Sequence, residues 1–289
     1  MATAMGVETA NGSWNNAYGV QIPLTIGGKQ YFYGQNLETR SYFIQEILPG
    51  GKMGAETDNG RLGYSYDVQF PFTIGGKVFI YGQSLTDLKW FIQEVVAGGK
   101  MGAQTSHGSW NNAYQVQFPF AINGTQYFYG QNLNTNYWFI QQILVDGTMG
   151  PETDNGHFNN SYGVQFPFSI GGAQYFLGQN LSTKYWFIQQ LLPGGKMGEE
   201  TDNGHWLSPY QVQFPYSIAG QQYFYGQDTD TRKWFIQVLQ KGGKMGEELQ
   251  NGTWAGAYQV QFPFALGGQQ YFYGQNLTEL NWFIQTLNG

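Results

Sequence analysis

The sequence predicts an all-β fold, a six-bladed β-propeller of four-stranded blades, and three observations predict it. A 48-residue unit recurs six times, each unit divides into four strand-like segments, and the unit is cut out of phase at the two ends of the chain. The period is fixed by three landmarks. Met-Gly falls at Met5, Met53, Met101, Met149, Met197 and Met245; Val-Gln falls at Val20, Val68, Val116, Val164, Val212 and Val260; Phe-Ile-Gln begins at Phe43, Phe91, Phe139, Phe187, Phe235 and Phe283. Together the units account for residues 1–289 as a single domain, with no linker or insertion.

The first segment is Tyr258–Leu266, closed by Gly267-Gly268, and the second is Gln270–Gln275, followed by Asn276-Leu277-Thr278. The third is Trp186–Leu192, closed by Pro193-Gly194-Gly195, and the fourth is Lys196–Thr201, followed by a turn at Asp202-Asn203-Gly204. Aromatic and β-branched runs between Gly-Gly and Asn-Gly pairs are the signature of antiparallel hairpins. No window holds a helical period.

The chain stops at Gly289, after a third segment, and opens at Met5–Thr9 with an isolated fourth segment. That split predicts a ring whose last blade is completed by the N-terminal strand, which hides two sheet edges at once. The rival arrangement is a pair of β-trefoils of three units each; it calls for a junction near residues 145–150, where Val145-Asp146-Gly147-Thr148 keeps the common spacing. Pro23, Pro71, Pro119, Pro167, Pro215 and Pro263 all sit in the first segment. Proline lacks the N–H for a ladder, so this segment belongs on an edge, here the one lining the central channel. The Lys- and Glu-bearing fourth segment belongs at the solvent-facing edge.

Composition narrows the function. The formal charge is -6, from 13 Lys+Arg against 19 Asp+Glu, so a nucleic-acid partner is not expected. With no cysteine the chain has neither disulfides nor thiol chemistry. His107, His157 and His205 do not pair at ligand spacing, so neither metal nor cofactor is expected. No apolar run is long enough for membrane insertion, and Met1-Ala2-Thr3-Ala4 carries no secretory signal. The expected location is cytoplasmic, or outside the cell after release without a classical signal.

In a propeller the turns alternate between the two ends of the ring. Those joining segments one to two and three to four are mostly glycine; those joining two to three and four to one carry amides, carboxylates, hydroxyls and aromatic rings. One face is therefore the candidate binding face. Its candidate residues are Trp14, Trp110, Trp206 and Trp254, replaced by Leu62 and Phe158 in two units, and the ring Trp90, Trp138, Trp186, Trp234 and Trp282, completed by Tyr42. To these are added Asn36, Asn132, Asn180, Asn276, Gln131 and Gln179, and the acidic turns Glu152, Asp154, Asn155, Asp202 and Asn203. Amides and carboxylates take sugar hydroxyls in paired hydrogen bonds, and an indole packs against the C–H face of a pyranose. Each group also has a structural reading: the aromatic rings as caps between blades, the glutamines as inter-blade ladders, the acidic segments as Asx turns.

The near-identical units, the Asp-Asn-Gly-x-Trp and Trp-Phe-Ile-Gln elements and the split last blade resemble the single-chain, tandem-repeat β-propeller lectins, such as tachylectin and the fungal and bacterial sugar-binding propellers. The resemblance implies several near-equivalent sugar sites on one face or between blades, and glycans of cell-surface or secreted glycoconjugates as partners. The equal length of the units, with no one-off catalytic motif, gives the expectation that the chain is not an enzyme. The alternative is a ring that serves as a protein-interaction scaffold, or a symmetric ring engineered without a sugar ligand.

Overall fold

A computed structural model describes residues 4–288. It contains six four-stranded antiparallel sheets arranged as the blades of a ring. In the first complete blade the strands run, from channel to rim, Val20–Ile26, Lys29–Gln35, Ser41–Leu48 and Lys52–Arg61. The other blades repeat this order of inner, second, third and outer strand. In the sixth, the inner strand Val260–Leu266, the second Gln269–Gln275 and the third Asn281–Asn288 are completed by the outer strand Ala4–Ser13. The clasp pairs Ala4 with Asn288 and Ser13 with Asn281. Inner strands touch their neighbours all the way round, including the first against the last. The ring is thus closed, and the pair of trefoils is excluded.

Each strand type forms for a visible reason. The two-residue Gly27-Gly28 turn holds both φ angles positive, at 57° and 77°, the twist a tight hairpin needs. Inner-strand prolines such as Pro23 pair with the second strand on one side only, so the missing N–H faces the channel and leaves no ladder bond unmade. The outer strand differs from its sequence-based prediction. Where the sequence suggests a turn at Asp202-Asn203-Gly204, the strand continues from Lys196 to His205. A β-bulge at Thr201 lets it continue, because the register steps from Gln189↔Glu200 to Ile188↔Asp202. Gln189 donates to the Gly198 carbonyl at 2.9 Å across the same irregular stretch.

The core is not inside the blades but between them. Each of the six buried clusters joins one blade to the next, as Phe70, Phe72, Phe79 and Tyr81 of blade 2 join Phe128, Phe139 and Ile143 of blade 3. Phe128 is completely buried, with Tyr81 at 5.2 Å and Phe139 edge-on at 5.3 Å between ring centroids. Burying one such ring stabilises the fold by roughly 1.5–3 kcal/mol. Among the described residues no helix is long and apolar enough to cross a membrane.

Candidate functional site: clefts on one face of the ring

The connection from one blade's outer strand to the next blade's inner strand crosses the polar face. In blade 2 this connection delivers Tyr66 edge-on against Phe91, at 4.4 Å between ring centroids. Tyr18, Tyr114, Tyr162, Tyr210 and Tyr258 repeat the contact in the other blades, at 4.5–4.7 Å. Beside each tyrosine stands the aromatic ring at the second position of the third strand, seated over a glycine of the outer strand. A Cβ at Gly108 would lie 2.7 Å from the Trp90 indole, so only glycine admits the ring there. Between tyrosine, indole and outer strand a cleft opens.

Three such clefts are well formed. That of blade 2 has a volume of about 450 Å³ and is lined by Tyr64, Tyr66, Lys89, Trp90, Gln104 and His107. That of blade 4, about 570 Å³, is lined by Phe158, Asn160, Tyr162, Tyr185, Glu200 and His205. That of blade 6, about 340 Å³, is lined by Glu8, Asn11, Ser13, Tyr258, Asn281 and Trp282. The outer-strand wall carries a Glu–Asn pair in five blades, in which Asn11, Asn59, Asn155, Asn203 and Asn251 donate to Glu8, Glu56, Glu152, Glu200 and Glu248. In blade 4 the Tyr185 hydroxyl also donates to Glu200, at 3.3 Å.

Electrostatics keep these phenols protonated. Burial, and then the Glu200 carboxylate, raise Tyr185 from the ordinary value of 10.0 to about 12. Tyr162 is pushed up by burial, partly offset by a hydrogen bond with Asn160, with Glu200 adding to the rise. The cleft therefore offers a carboxylate and an amide as hydrogen-bond acceptors, phenol and amide donors, and an aromatic wall. That set suits a small, uncharged polyhydroxylated ligand.

The sequence-predicted residues divide. Glu152, Asn155 and Asn203 stand at the cleft position, as do Trp90, Trp282 and Phe158. Trp138, Trp186 and Trp234 occupy the same strand position but are 8% exposed, and Tyr42 stacks on Tyr33 at 6.0 Å. Asp154 and Asp202 lie on the outer strand, not in a turn, and accept the Met197 and Met245 amides of the following blade at 2.8 and 2.7 Å. The ring of Trp14, Trp110, Trp206 and Trp254 packs between blades. Trp14 has four aromatic neighbours at 5.4–5.9 Å and donates to the Tyr273 hydroxyl, so this ring acts as an inter-blade cap.

Asn36, Asn132, Asn180 and Asn276 are buried and cap the connection after the second strand. Asn36, for example, accepts the Glu38 and Thr39 amides at 3.0 and 2.8 Å. Gln131 and Gln179 are completely buried. Each accepts a hydrogen bond from the inner-strand glutamine of the next blade, Gln165 and Gln213, at 2.5 Å. Gln141 and Gln189 support the outer-strand bulge, as Gln141 does by donating to the Gly150 carbonyl at 2.8 Å. The same inter-blade amide link recurs at all six interfaces around the channel mouth.

The six tyrosines are cleft residues that sequence reasoning does not single out, and so are Tyr64, Lys89, Gln104 and His107 of blade 2, Tyr185, Glu200 and His205 of blade 4, and Glu8, Asn11 and Asn281 of blade 6. The signal of the six tyrosines is the 48-residue recurrence of Tyr two places before Val-Gln. It was absorbed into a strand beginning at Tyr258, whereas the inner strand begins at Val260. Among the described residues no group of three His, Cys, Asp or Glu side chains is placed to hold a metal ion.

No protein-family model matches the chain. No curated protein matches it either. Solved structures do. The "putative 6-phosphogluconolactonase" of Bacteroides fragilis superposes with a TM-score of 0.59 at 10% identity, over 90% of this chain and 80% of that one. A protein from Lactobacillus plantarum superposes with a TM-score of 0.52 at 11% identity, over 78% of this chain and 69% of that one. The first of these is named for an enzymatic activity, and that corrects the expectation that the chain is not an enzyme: the fold it shares is one to which catalysis is ascribed. At these identities the similarity shows the propeller fold and transfers no activity.

Proposed function

We propose that this protein is a multivalent carbohydrate-binding protein, a lectin, that engages glycans of cell-surface or secreted glycoconjugates through its repeated clefts. The observation that carries the reading is the recurrence, in five blades, of a Glu–Asn pair on the outer strand beside a six-fold tyrosine. A pyranose presents vicinal hydroxyls at the spacing a carboxylate and an amide can grip, and an apolar face for an aromatic wall. The platform is the connection tyrosine together with the aromatic side chains beside it, Trp90 in blade 2, Phe158 and Tyr185 in blade 4 and Trp282 in blade 6, in place of the Trp14-type tryptophans, whose surroundings are already aromatic. Weak single sites repeated around one face become strong on a surface that presents many copies of the sugar.

The test is a screen of the purified protein on a glycan array, followed by calorimetric titration of the best neutral saccharide. The expected result is several equivalents per chain. Exchange of Tyr162 for Phe together with Glu200 for Ala should remove about one of them and leave the fold intact. Absence of binding across a broad array would end the lectin reading and favour a protein-interaction ring.

A further inference from the structure

The three clefts are not equal, and that of blade 2 departs from the other two in a consistent direction. At the outer-strand positions held by Glu and Asn elsewhere, it carries Gln104 and His107. At the entry to its third strand it carries Lys89, which donates to the Ser109 hydroxyl at 2.7 Å and has, among the described residues, no carboxylate within ion-pair distance. Lys233 holds the equivalent place in blade 5, but there the wall retains Glu248 and Asn251. Blade 2 is thus the one cleft whose wall has lost its carboxylate and gained an uncompensated ammonium group. Asp87, in the connection above, lies outside the cleft lining, accepts a hydrogen bond from the Ser84 hydroxyl at 3.2 Å and adds to the rise that burial gives the Tyr66 phenol.

We infer that the blade 2 cleft binds a saccharide carrying a carboxylate, while the Glu–Asn clefts of blades 4 and 6 bind neutral sugar. The inference rests on the carbohydrate-binding reading above and deepens it. A ligand carboxylate in a Glu-walled cleft meets like charge at close range, which costs affinity. In blade 2 the same carboxylate meets the Lys89 ammonium and the Gln104 amide, and charge-assisted hydrogen bonds of that kind are about twice as strong as neutral ones. Tyr64, found only here, forms an added wall beside Tyr66 at 6.1 Å between ring centroids. The cleft is also large enough, at about 450 Å³, for a full monosaccharide with its substituent.

The experiment pairs two kinds of probe on the intact chain: an array of matched neutral and carboxylated saccharides, then titration with methyl glucuronide and methyl glucoside or the matched pair the array selects. The wild type should bind about one equivalent of the acidic sugar, with affinity that weakens as salt rises. Lys89→Gln and Gln104→Glu should each lower that affinity about ten-fold or more and leave neutral-sugar binding in place. Glu200→Gln combined with Tyr185→Lys should create a second acidic site in blade 4. Neutral binding with no acidic binding, several acidic equivalents in the wild type, or indifference to Lys89→Gln and Gln104→Glu would each overturn the inference while the lectin reading stands. Failure of both probe classes would remove the two together.

Discussion

The inner edge of the ring and its clefts follow opposite rules. Around the channel mouth all six interfaces use the same Gln–Gln link, made by residues of the same type at the same step. At the clefts the residue at the entry to the third strand is Ser41, Lys89, Tyr137, Tyr185, Lys233 or Asn281 in turn. Sameness prevails where a defect would propagate, because one misfitted interface prevents closure of the whole ring. Variety prevails where each side chain faces a cleft and has only its ligand to satisfy.

The most severe break in that comparison is removal of residues 1–13. It strips the outer strand from the last blade, leaving Asn281–Asn288 as a bare edge ready to pair with another chain. Self-association beyond that of the full-length chain, seen by light scattering, is expected. Next is alkali. Tyr33, Tyr81, Tyr129, Tyr225 and Tyr273 are deeply buried, and burial pushes each phenol well above its usual range. A folded state that keeps a proton the unfolded chain releases loses stability as pH rises past the unfolded value, near 10. Stability to urea should therefore hold below about pH 10 and fall steeply above it; a flat profile to pH 12 would contradict the burial described.

Smaller effects sharpen the contrast. Gln117→Leu takes from the buried Gln83 amide oxygen its side-chain donor, leaving it only the longer bond from the Tyr114 amide at 3.4 Å, an expected cost of about 1–3 kcal/mol in urea denaturation. Glu152→Ala in a cleft should change stability by no more than about 0.5 kcal/mol. Equal costs for the two would erase the proposed division. The smallest effects are gains. Tyr129 lacks a partner for its hydroxyl because Phe158 stands where other blades have tryptophan, and Trp206 faces Leu177 where others have tyrosine. Phe158→Trp and Leu177→Tyr should each restore the bond and add about 0.5–1.5 kcal/mol to the unfolding free energy.

The ring, the number of blades and the closing strand were legible because each depends on period and strand patterning, which a repeat prints into the sequence six times. The cleft was only half legible. Glu152 and Asp154 look alike in sequence, two apart in an acidic stretch; a bulge at Thr153 decides that one borders the cleft while the other ties the next blade. In the same way Trp14 and Trp282 are both half-buried rings on one face, and only their neighbours show that Trp14 is surrounded by aromatic side chains while Trp282 borders a cleft. Such distinctions arise from packing between strands distant in the chain, which local pattern does not carry.

The clasp has a mechanical meaning as well. Ala4 sits opposite Asn288 in an antiparallel pair, so the two ends of the described chain lie side by side at one extremity of that ladder. A load drawn between them would fall on one rung at a time, peeling the pair open like a zip instead of shearing every rung together. A ring held by six interlocked interfaces would thus yield first at its ends under tension, opening blade six before the rest.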